Sequence, residues 1–157
     1  MKYINNKKAF TMIELVFVIV VIGILAGVAI PRLAATRDDA EITKGMTTLS
    51  SIRNALSIER QKRVLRGEFT PITAVGSGTT VFGNFFDANG DTGVNVLEYP
   101  EPSETKKYHW RRVDDSNTYF CLTNSCDNNT TRIEFQLLNG RFPCKAGPCS
   151  LFGIVAE

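Results

Sequence analysis

The stretch FTMIELVFVIVVIGILAGVAI, Phe10 to Ile30, decides how the rest of the chain must fold, and Glu14 is its only charged residue. As a helix rising about 1.5 Å per residue it spans about 30 Å, the thickness of a bilayer's hydrocarbon core. Leu15 to Ile30 holds twelve Leu, Ile, Val or Phe residues. Each favours insertion by about 0.3 to 0.6 kcal/mol, against about 3 kcal/mol for one acid in mid-membrane, so the sum favours the membrane even with Glu14 included. The many β-branched side chains would weaken a helix in water, but a lone segment in lipid must satisfy its own backbone, which leaves only helix. Lys2, Lys7 and Lys8 precede the run, and the positive-inside rule then predicts a cytoplasmic amino terminus with the remainder sent outward.

Glu14 asks for an explanation, because an acid inside an apolar span is by default functional and wants a partner. The plain alternative is a carboxylate solvated at headgroup depth. The string Lys7-Lys8-Ala9-Phe10-Thr11-Met12-Ile13-Glu14-Leu15, with Gly23 inside the apolar helix and Pro31 at its end, resembles the processing site of type IV pilins and of the pseudopilins of type II secretion and competence systems. The resemblance covers roughly the first third of the chain. It implies a pilin-like α+β fold, a long amino-terminal helix packed on a small antiparallel sheet. It also implies cleavage by a prepilin peptidase between Ala9 and Phe10, methylation of the new Phe10 amine, and pairing of Glu14 with the amine of a neighbouring subunit. Glycine usually precedes the cut in this family; here the similarly small Ala9 does. The physics agrees, since a carboxylate and a new ammonium in low dielectric stay costly until another chain supplies the opposite charge. Glu14 would thereby set subunit register.

A competing signal is Gly27-Val28-Ala29, a small-x-small triplet that ordinary signal peptidase could cut, releasing a soluble exported binding module that begins near Ile30. Glu14 within the run and Pro31 beside that cut argue against it. Gly23 and Gly27, four apart, would let helices approach closely, or are simply membrane glycines without a role.

The sequence therefore divides into a leader (1–9), a transmembrane and polymerisation helix (10–30), an amphipathic continuation (31–66) and a periplasmic region of loops, sheet and cysteines (67–157). In the continuation, Ile42, Met46, Leu49, Ile52 and Leu56 form one apolar stripe. Asp38, Asp39 and Glu41 lie early and Arg60, Lys62, Arg63 and Arg66 late, which complements the helix macrodipole, and Gly67 is a stop signal. Residues 32–66 carry eight Lys or Arg against four Asp or Glu, and residues 67–157 carry seven against eleven. That asymmetry suits subunits that stack on one another, and equally a basic stem near anionic lipid.

Glu68 to Glu104 reads as a long, turn-rich loop with short strands. Thr131 to Leu137 alternates cleanly, and Tyr108 to Val113, Thr118 to Thr123 and Ser150 to Ala156 are its expected strand partners, with the helical stripe as cover. Cys121, Cys126, Cys144 and Cys149 form two matching short loops; in an oxidising compartment they are disulfide candidates, with three connectivities open. A four-thiolate zinc site is the rival.

Asp87, Asn89, Asp91, Asn95 and Glu98 fall at positions one, three, five, nine and twelve of a loop, with the Gly93 carbonyl at seven, the ligand spacing of an EF-hand loop. Calcium is the one cofactor this suggests; the major pseudopilins, which this layout resembles, use a calcium-bound loop. A polar surface turn is the other reading. Lys106-Lys107-Tyr108-His109-Trp110-Arg111-Arg112 interleaves bases with aromatics, which suits nucleic acid, but an amphipathic strand with Tyr108 and Trp110 packed explains it more simply. His109 is the sole histidine and no nucleophile pattern accompanies it, so no enzyme is expected.

The function expected is a structural subunit of a type IV pilus-like filament in the bacterial inner membrane. Its partners would be copies of itself, the prepilin peptidase and the assembly platform of the machine. The short domain and the acidic loop make a pseudopilin of a type II secretion or competence system the expected kind of subunit; Cys144 and Cys149 near the carboxyl terminus point to the alternative, a pilin of adhesion and motility.

Overall fold

The computed structural model describes residues 10–114, 117–138 and 140–156. The chain divides into two compact units, Met1–Ala40 and Glu41–Glu157. One helix, α1, runs over Met12–Arg66 with Pro31 inside it. A proline there removes the N–H that would reach the Gly27 carbonyl and costs about 3 kcal/mol in water, yet the helix is unbroken across it.

Within the first unit nearly every side chain of the apolar run is exposed, from Phe10 at 80% to Ile30 at 67%. Among the described residues of this unit nothing covers it. The helix starts at a local cap: the Thr11 hydroxyl accepts the Glu14 N–H at 3.3 Å. Thr11-Met12-Ile13-Glu14 thus has the residue pattern of a capping box, with an acid in the first turn where the macrodipole favours it.

In the second unit α1 buries Leu49, Ile52 and Leu56, with Ile42 and Met46 partly buried at the upstream end of the same stripe. Facing it is a four-stranded antiparallel meander of β6 (Trp110–Arg112), β7 (Asn117–Cys121), β8 (Arg132–Gln136) and β9 (Cys144–Ala146), in that order. Before it come β1 (Ile72–Ala74), β3 (Asn84–Asp87) and β4 (Gly90–Asn95), which form a three-stranded sheet in that order, while β2 (Thr80–Val81) pairs with β5 (Glu101–Pro102).

The core is aromatic. Trp110 packs its ring 5.1 Å from both Phe82 and Phe120 and 5.4 Å from Phe135, and Phe152 lies 5.1 Å from Phe120. Such pairs contribute about 0.5 to 1.5 kcal/mol each beyond their buried area. Phe82 reaches its place with a φ of 60°, a left-handed conformation that is costly for a residue with a Cβ; full burial of its ring offsets that cost. On the sheet's other face Arg132 lies 3.9 Å over the Tyr119 ring, and Glu134 meets Lys145 at 3.3 Å.

One expectation is corrected. Ser150–Ala156 is not a strand: Cys149–Phe152 is a 3₁₀ turn closed by Gly153 at φ 65°, and the fourth strand is β9 instead. The Cys144–Cys149 bridge turns the chain sharply after β9, which lets Phe152 drop onto Phe120 and Phe135. The stretch from Glu68 to Glu104 does hold short strands, β1 to β5, with β3 and β4 paired as a hairpin.

Gly45 was not singled out by periodicity. A Cβ built there would stand 2.7 Å from the Phe120 ring and 3.0 Å from that of Phe152, so its absence sets how closely α1 approaches the aromatic layer. Gly45→Val should lower stability by about 1 to 3 kcal/mol through overpacking. Gly27→Val, where a Cβ meets nothing within 4 Å, should leave the melting temperature of the second unit unchanged. Thermal denaturation of both variants in detergent checks this, and equal melting points would refute the role given to Gly45.

Candidate functional site

Of the residues expected to act in processing and assembly, Ala9 lies outside the described residues. Phe10 precedes α1 and is exposed, and Glu14 sits in the helix's first turn with its carboxylate exposed. Among the described residues that carboxylate has no hydrogen bond or ion pair. Gly23 presents bare backbone, with nothing within 4 Å of a Cβ placed on it. The first unit therefore holds a long uncovered apolar surface and one acid a single turn from the predicted new amino terminus.

The six expected calcium ligands do not form a cage. Asp87 ends β3, and both its oxygens are engaged: Oδ2 accepts from Arg63 Nη1 at 3.0 Å and Oδ1 from the Asn89 N–H at 2.8 Å. Asp91 lies in β4, where its carboxylate accepts from the Asn84 amide at 2.9 Å and from the Gly93 N–H at 2.8 Å. Asp91 and Asn95 both flank Asn84, which is the register partner of Asn95 and donates its amide to Asp91, and β4 bulges between them with Gly93 at φ 68°; the run is a bulged hairpin strand and not a curled twelve-residue ligand loop. Glu98 lies further along, beyond the strand. Among the described residues no three His, Cys, Asp or Glu side chains converge on a possible metal position. The residues present do not fit the ion.

A guanidinium occupies the place instead. Arg63 is 4% exposed; its Nε donates to Glu59 Oε1 at 3.1 Å, and its Nη1 reaches Asp87 and the Thr70 carbonyl. Glu59, 2% exposed, also faces Arg66 Nη2 at 3.5 Å. One buried cation thus ties the last turns of α1 to the tip of the β3–β4 hairpin. The signal was present in the sequence, since the stripe that passes through Leu56 continues at helical spacing through Glu59 and Arg63, an i,i+4 pair of opposite charge.

All four cysteines are paired, Cys121 with Cys126 and Cys144 with Cys149, across Cα separations of 5.0 and 6.1 Å. Each closes a short loop, which in the chain-entropy view stabilises by about 2 kcal/mol. No thiolate remains for zinc. Within the basic-aromatic string Trp110 is buried and Tyr108 is partly buried. The largest ring is therefore part of the core, and stacking on a base is closed to it. His109 lies 3.8 Å from Glu104 at the surface.

Comparison with known proteins gives the family. The model described as the prokaryotic N-terminal methylation motif matches residues 4–30. Over 114 residues the chain is 31% identical to the type IV narrow pilus major component PilA5 of Thermus thermophilus, covering 73% of this chain and 78% of that protein. The chain belongs to the type IV pilin and pseudopilin family. It is also 31% identical over 58 residues to type II secretion system core protein G of Escherichia coli, and 37% identical over 57 residues to a fimbrial protein of Moraxella nonliquefaciens. These shorter matches cover 40% and 37% of those two relatives. No solved structure matches the chain. Membership makes this pilin-like chain a structural subunit rather than an enzyme, and its apolar amino-terminal helix suits anchoring in the inner membrane.

Arg63→Met should destabilise the second unit by about 3 kcal/mol, because it leaves the partly buried Asp87 carboxylate without its cation and the buried Glu59 with only the exposed Arg66; adding Glu59→Gln and Asp87→Asn should recover part of the loss. Millimolar calcium or a chelator should not move the wild-type melting temperature, and a calcium-dependent rise would overturn the assignment of Arg63 as the cation of this site. Asp91 is held below the ordinary aspartate range, first by the Gly93 N–H and then by the Asn84 amide. A depressed folded-state pKa contributes stability above the unfolded value, near 3.8, and that contribution is lost as pH falls through the folded one. Asp91→Asn should accordingly flatten the acid limb of a stability-versus-pH curve below about pH 4, while wild-type steepness in the variant would assign that limb to other acids.

Proposed function

We propose that this chain is a building subunit of a type IV pilus-like filament. It enters the inner membrane with its amino terminus cytoplasmic and its second unit periplasmic, is cut between Ala9 and Phe10, and polymerises through α1. The observation that carries this is the wholly exposed apolar half of α1 with a single unpartnered carboxylate at its start. Such a surface stays dry either in lipid or among identical helices, so a subunit passes from membrane to filament without exposing apolar area to water. The new ammonium on Phe10 of one copy then compensates Glu14 of another.

Between the two kinds of filament, a pilus is the better supported. The similarity that reaches across 73% of the chain is to a pilus component. The acidic loop, which together with the short domain leans toward the secretion reading, has its first carboxylate, Asp87, held by Arg63. A secretion pseudopilus remains the second reading, favoured by the matches to secretion core protein G.

Glu14 has two possible jobs, capping the helix and pairing with an amine, and two variants separate them. Glutamine serves a capping box as glutamate does but carries no charge. Glu14→Gln and Glu14→Ala should therefore both abolish filaments sheared from the native host, while N-terminal mass spectrometry shows a methylated Phe10 terminus in the wild type. Normal filaments from Glu14→Gln would reduce the residue to a cap, and a mature terminus near Ile30 would replace the filament by a released domain.

A further inference from the structure

The processing, packing and assembly roles leave two surface features of the second unit unused. One is a half-open groove of about 540 Å³ between α1 and the segment around β9. Leu56, Phe142, Ile154 and Val155 give it an apolar lining, Arg60 and Arg141 stand beside them, and no acidic side chain lines it. Both of these arginines are exposed, and among the described residues neither guanidinium group has a hydrogen-bond or ion-pair partner. Val155 is 88% exposed, a large apolar side chain left in water at the mouth of the groove.

The other feature is the segment Glu98-Tyr99-Pro100 after β4 together with Glu101, the half-buried first residue of β5. Tyr99 is 80% exposed, and among the described residues neither the Glu98 nor the Glu101 carboxylate has a hydrogen-bond or ion-pair partner. An exposed aromatic flanked by two acids, beside a proline that restricts the backbone, is the complement of an apolar groove bearing two free guanidinium groups. Tyrosine is a favoured interface anchor, and it loses little conformational entropy when it seats.

The two features lie at opposite edges of the meander. The groove adjoins β9, whereas the acidic segment leads into β5, which lies against β6. Three interstrand spacings of about 4.8 Å separate β6 from β9, so about 14 Å of sheet stands between them. One copy cannot satisfy its own groove, but two copies can satisfy each other in sequence.

We propose that Tyr99 of one copy seats in the groove of the next, with Glu98 and Glu101 facing Arg60 and Arg141. The two surfaces are different, so the contact is heterologous and repeats from copy to copy; such contacts build open helical polymers where the rotation does not close a ring. The choice of a second copy as occupant rests on the filament reading, and its support is the complementary charge on the same chain. The proposal adds a contact between globular units to the one made by α1.

The test is photo-cross-linking of the full chain in its native host, with Tyr99 replaced by the photoreactive benzoylphenylalanine, and filament yield is measured from the same cells. The cross-link should join position 99 of one copy to the 53–60 or 140–155 peptide of another. Glu98→Arg/Glu101→Arg places arginine against arginine in every contact, and Arg60→Glu/Arg141→Glu places acid against acid. Each pair should cut the cross-link about tenfold, and the four changes together should restore it. All four positions lie at the surface, and an unchanged melting temperature confirms that the variants fold. A cross-link to another peptide, or a fourfold variant no better than either pair, would overturn the docking. Filaments without the groove cross-link would leave the filament reading standing and remove this contact. The groove cross-link without filaments would support the contact and remove the filament reading.

Discussion

Water's exclusion from a single long helix is the constraint on which the molecule depends. α1 meets it in two ways along its length. From Leu49 to Leu56 one stripe is buried in an aromatic layer, and Gly45 supplies the missing Cβ that the close approach requires. From Met12 to Ile30 the helix is apolar on nearly all sides and exposed among the described residues, which suits cover by lipid or by other copies. The first solution makes a stable globular unit, and the second makes that unit a component of something larger.

The polar interior follows a similar economy. Where a turn-rich segment rich in Asp and Asn must be fixed to the end of a helix, a divalent ion is one solution and a guanidinium is another. Arg63 takes the second, because it carries its cation on α1 itself and reaches Glu59, Asp87 and the Thr70 carbonyl from one planar group. The arrangement makes several segments depend on one side chain, since a buried carboxylate without its partner is far more costly than an absent pair. The two short disulfide loops do comparable work at the other end of the unit by fixing the turns after β7 and β9.

Assembly requires surfaces that remain unsatisfied in the single subunit. The described residues hold three such features in different chemical forms: the uncovered apolar helix, the lone carboxylate of Glu14, and the Arg60 and Arg141 groove with the Glu98 to Glu101 segment at the other sheet edge. None is explained by the stability of the chain on its own. In the proposed filament a neighbouring copy would meet each of them, and a heterologous arrangement would let every copy be both donor and acceptor.

Much was legible in the sequence. The apolar run, its basic leader and Glu14 identify the family from local chemistry alone, and the stripe from Ile42 to Leu56 with Gly67 after it marks the buried helix face and its end. The alternation of Ile133, Phe135 and Leu137 places β8 correctly, because a half-buried strand has a fixed period. What sequence could not decide lies in contacts between distant residues. The spacing Asp87 to Glu98 is that of a calcium loop, but a spacing does not say whether the backbone curls or extends; here it forms a hairpin, and Arg63, far back in the chain, takes the first carboxylate. Ser150 to Ala156 has strand composition, but the Cys144–Cys149 bridge and the space beneath Trp110 turn it into a 3₁₀ segment. Trp110, by contrast, reads most simply as a packed strand residue, and its burial bears that out. Local periodicity and charge fix what each segment needs, whereas only the tertiary structure decides which distant partner supplies it, because burial and pairing are properties of the whole packed chain.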